Sequence, residues 1–324
     1  MRLLVTGGAG YIGSHVVSAL HAAGHEMLVV DDLLRGRVDD VDGAPVARLD
    51  LASDDATNVI ARLLVEHRTE AVLHFAARKQ VGESVARPAW YYRQNIGGLA
   101  NLLLGMEQAS VTRLVFSSSA AVYGAAHGAA IDETVEARPI NPYGETKLAG
   151  EQLITAAATG FGLSAVSLRY FNVAGATSPE LGDPAALNLI PMVFERLDRG
   201  EAPRIFGDDY ATPDGTCVRD FIHVADLADA HTAALGLLER SEPGNTVFNV
   251  GTGVGTSVRE IIDKILAVTG SGLSPVVEGR RPGDPAYVVA SPARIAAAIG
   301  WRAQRSVDEM IGSAWAAHQA QVRA

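Results

Sequence analysis

Tyr143 and Lys147 stand four residues apart in Tyr143-Gly144-Glu145-Thr146-Lys147, so on a helix both project from one face. A lysine ammonium beside a phenol stabilises the phenolate and draws its pKa down from about 10 towards working pH. The phenol then becomes a general base for a substrate hydroxyl. The spacing alone equally describes two side chains on a solvated helix. Ser119 gives it weight: Ser117-Ser118-Ser119-Ala120-Ala121-Val122-Tyr123-Gly124 follows an apolar run. A serine at the carboxyl end of a strand lies where the ligand sites of α/β sheets open. Its hydroxyl would bond the same substrate oxygen as Tyr143; without Tyr143 it would read as a turn former.

A second group suits phosphate. Gly7, Gly10 and Gly13 lie in Thr6-Gly7-Gly8-Ala9-Gly10-Tyr11-Ile12-Gly13, between an apolar run and a helical pattern. Glycine there permits positive φ, lets backbone approach a pyrophosphate, and lets helix and strand pack closely, with the helix N-terminus facing the phosphates. Asp31 closes the next apolar run, eighteen residues after Gly13. It is placed to accept hydrogen bonds from an adenosine ribose 2′-hydroxyl and would repel a 2′-phosphate, which favours NAD over NADP. The bland alternative is a strand-capping Asp. Asp50-Leu51 closes a third run, where Asp50 suits an adenine contact and a helix cap equally.

Strands and helices must hold these groups in place. Arg2 to Thr6, Met27 to Asp31, Val46 to Leu51, Ala71 to Phe75, Arg113 to Ser119 and Leu163 to Arg169 read as strands. Ile12 to Ala23, Asp54 to His67, most of Val81 to Ser110, and Pro142 to about Ala158 read as helices, the last capped by Asn141. Such alternation predicts an α/β fold: a Rossmann-type, doubly wound parallel sheet. After Phe171, Pro179, Pro184, Pro191, Pro203 and Pro213 break the chain into shorter elements. The expectation is a dinucleotide-binding domain over 1–172, with about 215–255 returning to it. A smaller α/β lobe then spans 173–324.

Composition bounds the function. The 324 residues are 48% hydrophobic and 20% charged, with 33 glycines, which excludes a disordered chain and a collagen. Thirty-seven acidic residues against 27 basic ones leave a net charge of −10, an argument against a nucleic-acid polymer or an anionic membrane as partner. The single cysteine, Cys217, excludes an internal disulfide and a cysteine metal cluster and fits a reducing compartment. With no apolar run of spanning length and no signal-peptide layout, a cytoplasmic location is expected, with no metal.

The chain resembles the extended short-chain dehydrogenase/reductase superfamily, and within it the UDP-glucose 4-epimerase family, nearly end to end. The resemblance rests on Thr6 to His15, His74-Phe75-Ala76-Ala77, Val81-Gly82-Glu83-Ser84-Val85, Ser117 to Gly124, Tyr143 to Lys147 and Leu168-Arg169-Tyr170-Phe171-Asn172. It continues in Gly215-Thr216-Cys217-Val218-Arg219-Asp220-Phe221-Ile222-His223-Val224 and Arg281-Pro282-Gly283-Asp284-Pro285. It implies Tyr143 as base, Lys147 on the nicotinamide ribose and Ser119 on the sugar hydroxyl. NAD is the implied cofactor, lying along Gly7, Gly10, Tyr11, Ile12, Gly13, Asp31, Asp50, Leu51, Phe75, Ala76, Ala77, Lys79, Asn95, Ser117, Tyr143, Lys147 and Tyr170. Asn95 equally suits pairing within its own helix.

The implied substrate is a UDP-hexose, gripped by Asn172, Asn188, Leu189, Phe206, Arg219, Arg281 and Asp284, with Val288 at the position that gates sugar size. For the two Arg the alternative is a surface salt bridge. Val is intermediate in size, so UDP-galactose and UDP-glucose are the expected pair, with some activity on N-acetylhexosamines. A one-residue shift would put Tyr287 at the gate. Ala120-Ala121 stands where sugar-nucleotide dehydratases carry an acid pair, which disfavours elimination of water. A UDP-pentose or UDP-uronate 4-epimerase or a decarboxylase is the alternative within enzymes, and a non-catalytic NAD-binding regulator the alternative outside them. The resemblance also implies a homodimer joined by a four-helix bundle from about Pro88 to Ser110 and Pro142 to Ala158. Leu99, Leu102, Leu103 and Met106 offer a stripe for the partner or for the subunit's own core. His15, His74 and His223 read as structural.

Overall fold

The computed structural model describes residues 1–125, 130–183, 185, 187–281 and 283–323; Pro184 and Pro282, named above, lie outside the described residues. Strand and helix alternate in the order β1 (Arg2–Thr6), α1 (Tyr11–Ala22), β2 (Glu26–Asp31), β3 (Val46–Arg48), α2 (Ala56–Glu66), β4 (Ala71–His74), α3 (Val81–Ala86), α4 (Pro88–Tyr92), α5 (Gly98–Gln108), β5 (Arg113–Ser119), α6 (Pro142–Phe161) and β6 (Ser164–Tyr170). There follow β7 (Asn172–Ala174), α7 (Leu189–Asp198), β8 (Arg204–Phe206), β9 (Val218–His223), α8 (Val224–Leu238), β10 (Gly244–Val250), β11 (Gly255–Ser257), α9 (Val258–Thr269), β12 (Val276–Glu278), β13 (Tyr287–Val288), α10 (Ala293–Ile299) and α11 (Val307–Arg323). Two units divide the chain: Met1–Gly124, Glu136–Arg169 and Ala228–Phe248 form the first, and Ala125–Val135, Tyr170–Leu227 and Asn249–Ala324 the second.

The first unit is built on a seven-stranded sheet in the order β10-β6-β5-β4-β1-β2-β3. β1 runs parallel to β2 and β4, β2 to β3, and β4 to β5. This is the Rossmann-type arrangement. Its order reverses between β1 and β4, which sets a ligand crevice outside the carboxyl ends of those strands. Helices cover both faces, so the strands are apolar throughout: Leu3, Leu4, Val5, Val72 and Leu73 have no exposed surface. The helical stretch from Pro88 to Gln108 passes through a single π turn at Arg93–Gly97. Local signals start α6: Pro142 takes its first turn, and the Asn141 side chain accepts from the Gly144 amide at 2.9 Å.

One open alternative is decided here and one expectation is corrected. Leu99, Leu102, Leu103 and Met106 pack with Ile60, Leu64, Leu114, Phe116 and Ile154, so this stripe is the subunit's own core and is not open to a partner. β3 stops at Arg48, short of Leu51, because Asp50 turns the chain by accepting from the Ala52 amide at 2.9 Å.

The second unit carries shorter strands. β9 pairs antiparallel with β11 and parallel with β13 and β7, while β8 pairs with β12. Its core gathers Ile190, Val193 and Phe194 of α7, Ile261, Ile262 and Ile265 of α9, and Met310 and Ile311 of α11. Asp220 on β9 is fully buried and ties three segments: Oδ1 accepts from the Thr252 amide (2.8 Å) and hydroxyl (2.7 Å), and Oδ2 from the Gly253 (2.9 Å) and Ala290 (3.2 Å) amides. Among the described residues no helix is long and apolar enough to cross a membrane.

Candidate active site

Ser119 ends β5 and its Oγ accepts from the Ala121 amide at 3.1 Å, which turns the hydroxyl towards α6. Tyr143 lies in the first turn of α6 and Lys147 one turn later; they are 8% and 4% exposed. Ser119 hydrogen-bonds the Tyr143 phenol. Lys147 Nζ donates to the Ser117 carbonyl at 2.7 Å and stands 5.1 Å from the Phe116 ring centroid and 6.0 Å from that of Tyr143. The three expected catalytic side chains therefore converge at one strand end.

Their electrostatics differ from the expectation in one respect. Burial lowers the Lys147 ammonium to about 8, with Glu151 partly opposing. The Tyr143 phenol is raised, by burial first, and the Ser119 hydrogen bond offsets only part. The expected depression of Tyr143 by Lys147 is absent because the ammonium is turned onto the Ser117 carbonyl and desolvation of the phenol outweighs it. His74, beside Lys147, is neutral: burial, then the Lys147 charge, lower its pKa to about 3, and its Nδ1 pairs with Thr6 Oγ1 at 2.6 Å.

Beneath Lys147 lies a network that sequence reading missed. Glu151, one turn further along α6 and 4% exposed, accepts from Arg169 Nε (2.9 Å) and Nη2 (2.5 Å) and from Ser118 Oγ (2.6 Å). Arg169 Nη1 also donates to the Tyr123 hydroxyl at 2.9 Å. The network ties α6 to the strand end that carries Ser117, Ser118 and Ser119. The available signal was a Glu four residues after Lys147.

The glycine loop fits a dinucleotide. A Cβ on Gly7 (φ +70°) would stand 2.4 Å from the Ala76 nitrogen, and one on Gly13 would stand 2.2 Å from the Gly7 carbonyl; at Gly10 the nearest atom is 3.4 Å away. The cradle is thus backbone against backbone, with α1 starting at Tyr11 and turning its positive end towards it. The Thr6 carbonyl accepts from both the Phe75 (2.8 Å) and Ala76 (3.1 Å) amides, which pins 75–77 against the loop. Asp31 is 8% exposed; Oδ2 accepts from the Ala9 amide (3.1 Å) and Oδ1 from the Leu33 amide (2.9 Å). Burial raises its carboxyl despite these bonds. It shapes the glycine loop and keeps lone pairs for a ribose.

The remaining expected cofactor residues divide. Lys79 is exposed, with Nζ 5.8 Å from the Tyr11 ring centroid. Asp50 is exposed, whereas the Leu51 side chain is in the core and only its carbonyl is engaged, by Asn101 Nδ2 at 2.8 Å. Asn95 is buried and pairs within the protein: Oδ1 accepts from the Arg78 amide (2.8 Å), and Nδ2 donates to the Arg78 carbonyl (3.0 Å) and Thr146 Oγ1 (3.0 Å).

The second unit holds the expected substrate residues in two groups. In one, the Arg281 guanidinium lies 3.7 Å from the Phe206 ring centroid. In the other, Arg219 (13% exposed side chain) donates Nη1 to the Val218 carbonyl at 2.9 Å, and its Nη2 stands 3.5 Å from Asp284 Oδ1. Val288 is in register with Arg219 on the neighbouring strand. Tyr287 turns its hydroxyl to within 3.3 Å of the Cβ position of Gly255. Asn188 Nδ2 donates to Asp183 Oδ2 at 3.2 Å, and Leu189 opens α7 against the core. Tyr170 is half-buried and Asn172 is exposed at the start of β7.

Residues 3–251 match the description of the NAD dependent epimerase/dehydratase family. The chain is 45% identical over 305 residues to a UDP-glucose 4-epimerase of Azospirillum brasilense, covering 93% of this chain and 86% of that one. It is 44% identical to that of Streptomyces lividans, covering 98% and 96%. A crystal structure of UDP-glucose-4-epimerase from Stenotrophomonas maltophila, with bound NAD and formylated UDP-arabinopyranose, superposes with a TM-score of 0.93 at 39% identity, covering 100% and 99%. The glycine cradle, the Ser119, Tyr143 and Lys147 cluster and these end-to-end matches together place the chain in the NAD dependent epimerase/dehydratase family.

Proposed function

We propose that this protein interconverts UDP-galactose and UDP-glucose with NAD as resident cofactor. The observation that carries the reading is the buried convergence of Ser119, Tyr143 and Lys147 in the unit that also holds the glycine cradle. Tyr143 takes the proton from the hydroxyl on sugar carbon 4, and Ser119 holds that oxygen in line. Lys147, fixed on the Ser117 carbonyl, supplies the buried positive charge that favours the Tyr143 phenolate before it takes the proton. NAD, when bound, would supply the hydride acceptor for carbon 4 and the hydride donor to the opposite face of the 4-keto sugar, while Tyr143 returns the proton to the carbon 4 oxygen. Between those events the sugar turns over while its UDP stays gripped.

In this reading the second unit supplies the grip. Arg219 and Arg281 take the diphosphate oxygens in forked contacts. Asn172, Asn188, Leu189 and Phe206 take the remainder of the nucleotide, and Val288 limits the sugar. The enzyme acts as a homodimer in the cytoplasm, where its one cysteine stays reduced. The subunit contact is the four-helix bundle of about Pro88 to Ser110 and Pro142 to Ala158 with their symmetry mates, to which Tyr92 and Leu104 are available as exposed side chains in place of the buried stripe. A coupled assay with UDP-galactose tests the reading: pure, NAD-loaded protein should form UDP-glucose, and no conversion refutes it. Tyr143→Phe should abolish turnover; near-normal turnover would remove Tyr143 as the base.

A further inference from the structure

Asp31 is not the only carboxylate at the adenosine end of the crevice. Asp32 follows it directly, one residue past β2, and forms a close ion pair from Oδ2 to Arg78 Nη2. Arg78 lies four residues past β4, and β1 runs between β2 and β4. The pair therefore spans the carboxyl edge of β1, beside the glycine loop. Its two side chains are 16% and 26% exposed.

Arg78 is held from several directions. Gln94 Oε1 accepts from Nε (3.1 Å) and Nη2 (2.9 Å), and the guanidinium lies 5.5 Å from the Trp90 ring centroid. Asn95 clamps the Arg78 backbone on both its amide and its carbonyl. Gln94 Nε2 reaches Asp50 Oδ2 at 3.4 Å. Arg35, the other cation bridging these loops, donates Nη1 to the Gln80 amide oxygen at 3.0 Å in the amide orientation that satisfies both groups.

A guanidinium beside the acid that ends β2 is the group that accommodates a 2′-phosphate in dinucleotide folds. Asp31 is close enough to feel both partners: Arg78 lowers its carboxyl and Asp32 raises it. The chain thus carries one residue set for NAD and, within its electrostatic reach, a cation of the kind that serves NADP, neutralised by a neighbour.

We propose that Asp32 is a second determinant of dinucleotide choice, because by holding the Arg78 guanidinium it withholds from a 2′-phosphate the cation that would accept it. The proposal rests on the NAD reading above. In the test, wild type, Asp32→Asn, Asp32→Ser, Arg78→Leu and the Asp32→Asn/Arg78→Leu double variant are each equilibrated with equimolar NAD and NADP. Bound dinucleotides are then released by denaturation and quantified by chromatography. Wild type and Arg78→Leu should carry NAD almost alone. A released guanidinium gaining a charge-assisted bond to phosphate shifts the NADP-to-NAD ratio about ten- to a hundredfold in Asp32→Asn and Asp32→Ser. The double variant should return to the wild-type ratio. An unchanged ratio in both Asp32 variants overturns the proposal. So does a gain that survives loss of Arg78, which would trace to Arg35 or to charge alone. Wild type that carries neither dinucleotide refutes the NAD reading and leaves a different signature from either result.

Discussion

Lys147 should cost the folded protein stability, and the cost can be worked out. Its ammonium falls from 10.5 to about 8 because it is buried. At about 1.4 kcal/mol per unit this is about 3 kcal/mol against the folded state at pH 7. Lys147→Met keeps the length of the side chain and removes the charge. It also removes the bond to the Ser117 carbonyl, a loss of about 1 kcal/mol. The variant should therefore be about 2 kcal/mol more stable than wild type at pH 7, while turnover falls by about 10² to 10⁴.

The sign of the pH dependence follows from proton counts. Between about 8 and 10.5 the unfolded chain holds the Lys147 proton and the folded chain has lost it, so wild-type stability rises with pH in that window. The advantage of Lys147→Met is full below about 8 and gone above 10.5. Urea unfolding of dinucleotide-free protein at pH 7 and pH 10.5, read as the difference between variant and wild type, isolates this group because Tyr143 contributes to both. A variant less stable than wild type at pH 7, or a gap that does not change with pH, refutes the reasoning.

Gly13→Ala should lose dinucleotide binding and melt at a lower temperature, since its methyl would meet the Gly7 carbonyl at 2.2 Å, whereas Gly10→Ala, with 3.4 Å of room, should keep its melting temperature; equal melting of the two would contradict the cradle. Glu151→Gln leaves the buried Arg169 without its counter-charge and should destabilise by about 3 kcal/mol, seen in thermal unfolding. It should also move Lys147 further below 8, shifting the pH profile of turnover; an unmoved profile would detach Glu151 from Lys147. Val288→Tyr should lower turnover of UDP-N-acetylgalactosamine more than that of UDP-galactose, and equal effects would remove Val288 from sugar selection.

The parts of the site written in local sequence were legible. Gly7 reveals itself through the positive φ its turn requires and Gly13 through its close approach to the Gly7 carbonyl six residues back, and Asn141-Pro142 marks the start of α6 by a local bond of its own. That Tyr143 and Lys147 share a face follows from helix period, and Ser119 at a strand end makes that face a site. What Lys147 faces does not: its acceptor, the Ser117 carbonyl, is thirty residues away, and Glu151 finds Ser118 and Arg169 on two different strands. Period also shows that Leu99, Leu102 and Met106 share a face, but α2, β5 and α6 cover it, and nothing in the stripe itself says so. Asp50 was misplaced because an apolar run does not say where an Asx turn ends the strand. Asp32 and Arg78 are forty-six residues apart, and only the sheet order makes them neighbours.

The route of the chain also constrains how the molecule can be made. β6, buried along nearly its whole length, acquires its outer partner only from β10, some seventy residues later. At a synthesis rate of about 5–20 residues per second, β6 waits roughly 4 to 15 s as an open edge while the Tyr170–Leu227 segment of the second unit is being translated. A nascent chain stalled in that interval presents an apolar strand ready to pair with a stranger. A truncation after Gly175, which looks like a clean excision of the dinucleotide fold, would make that transient hazard permanent.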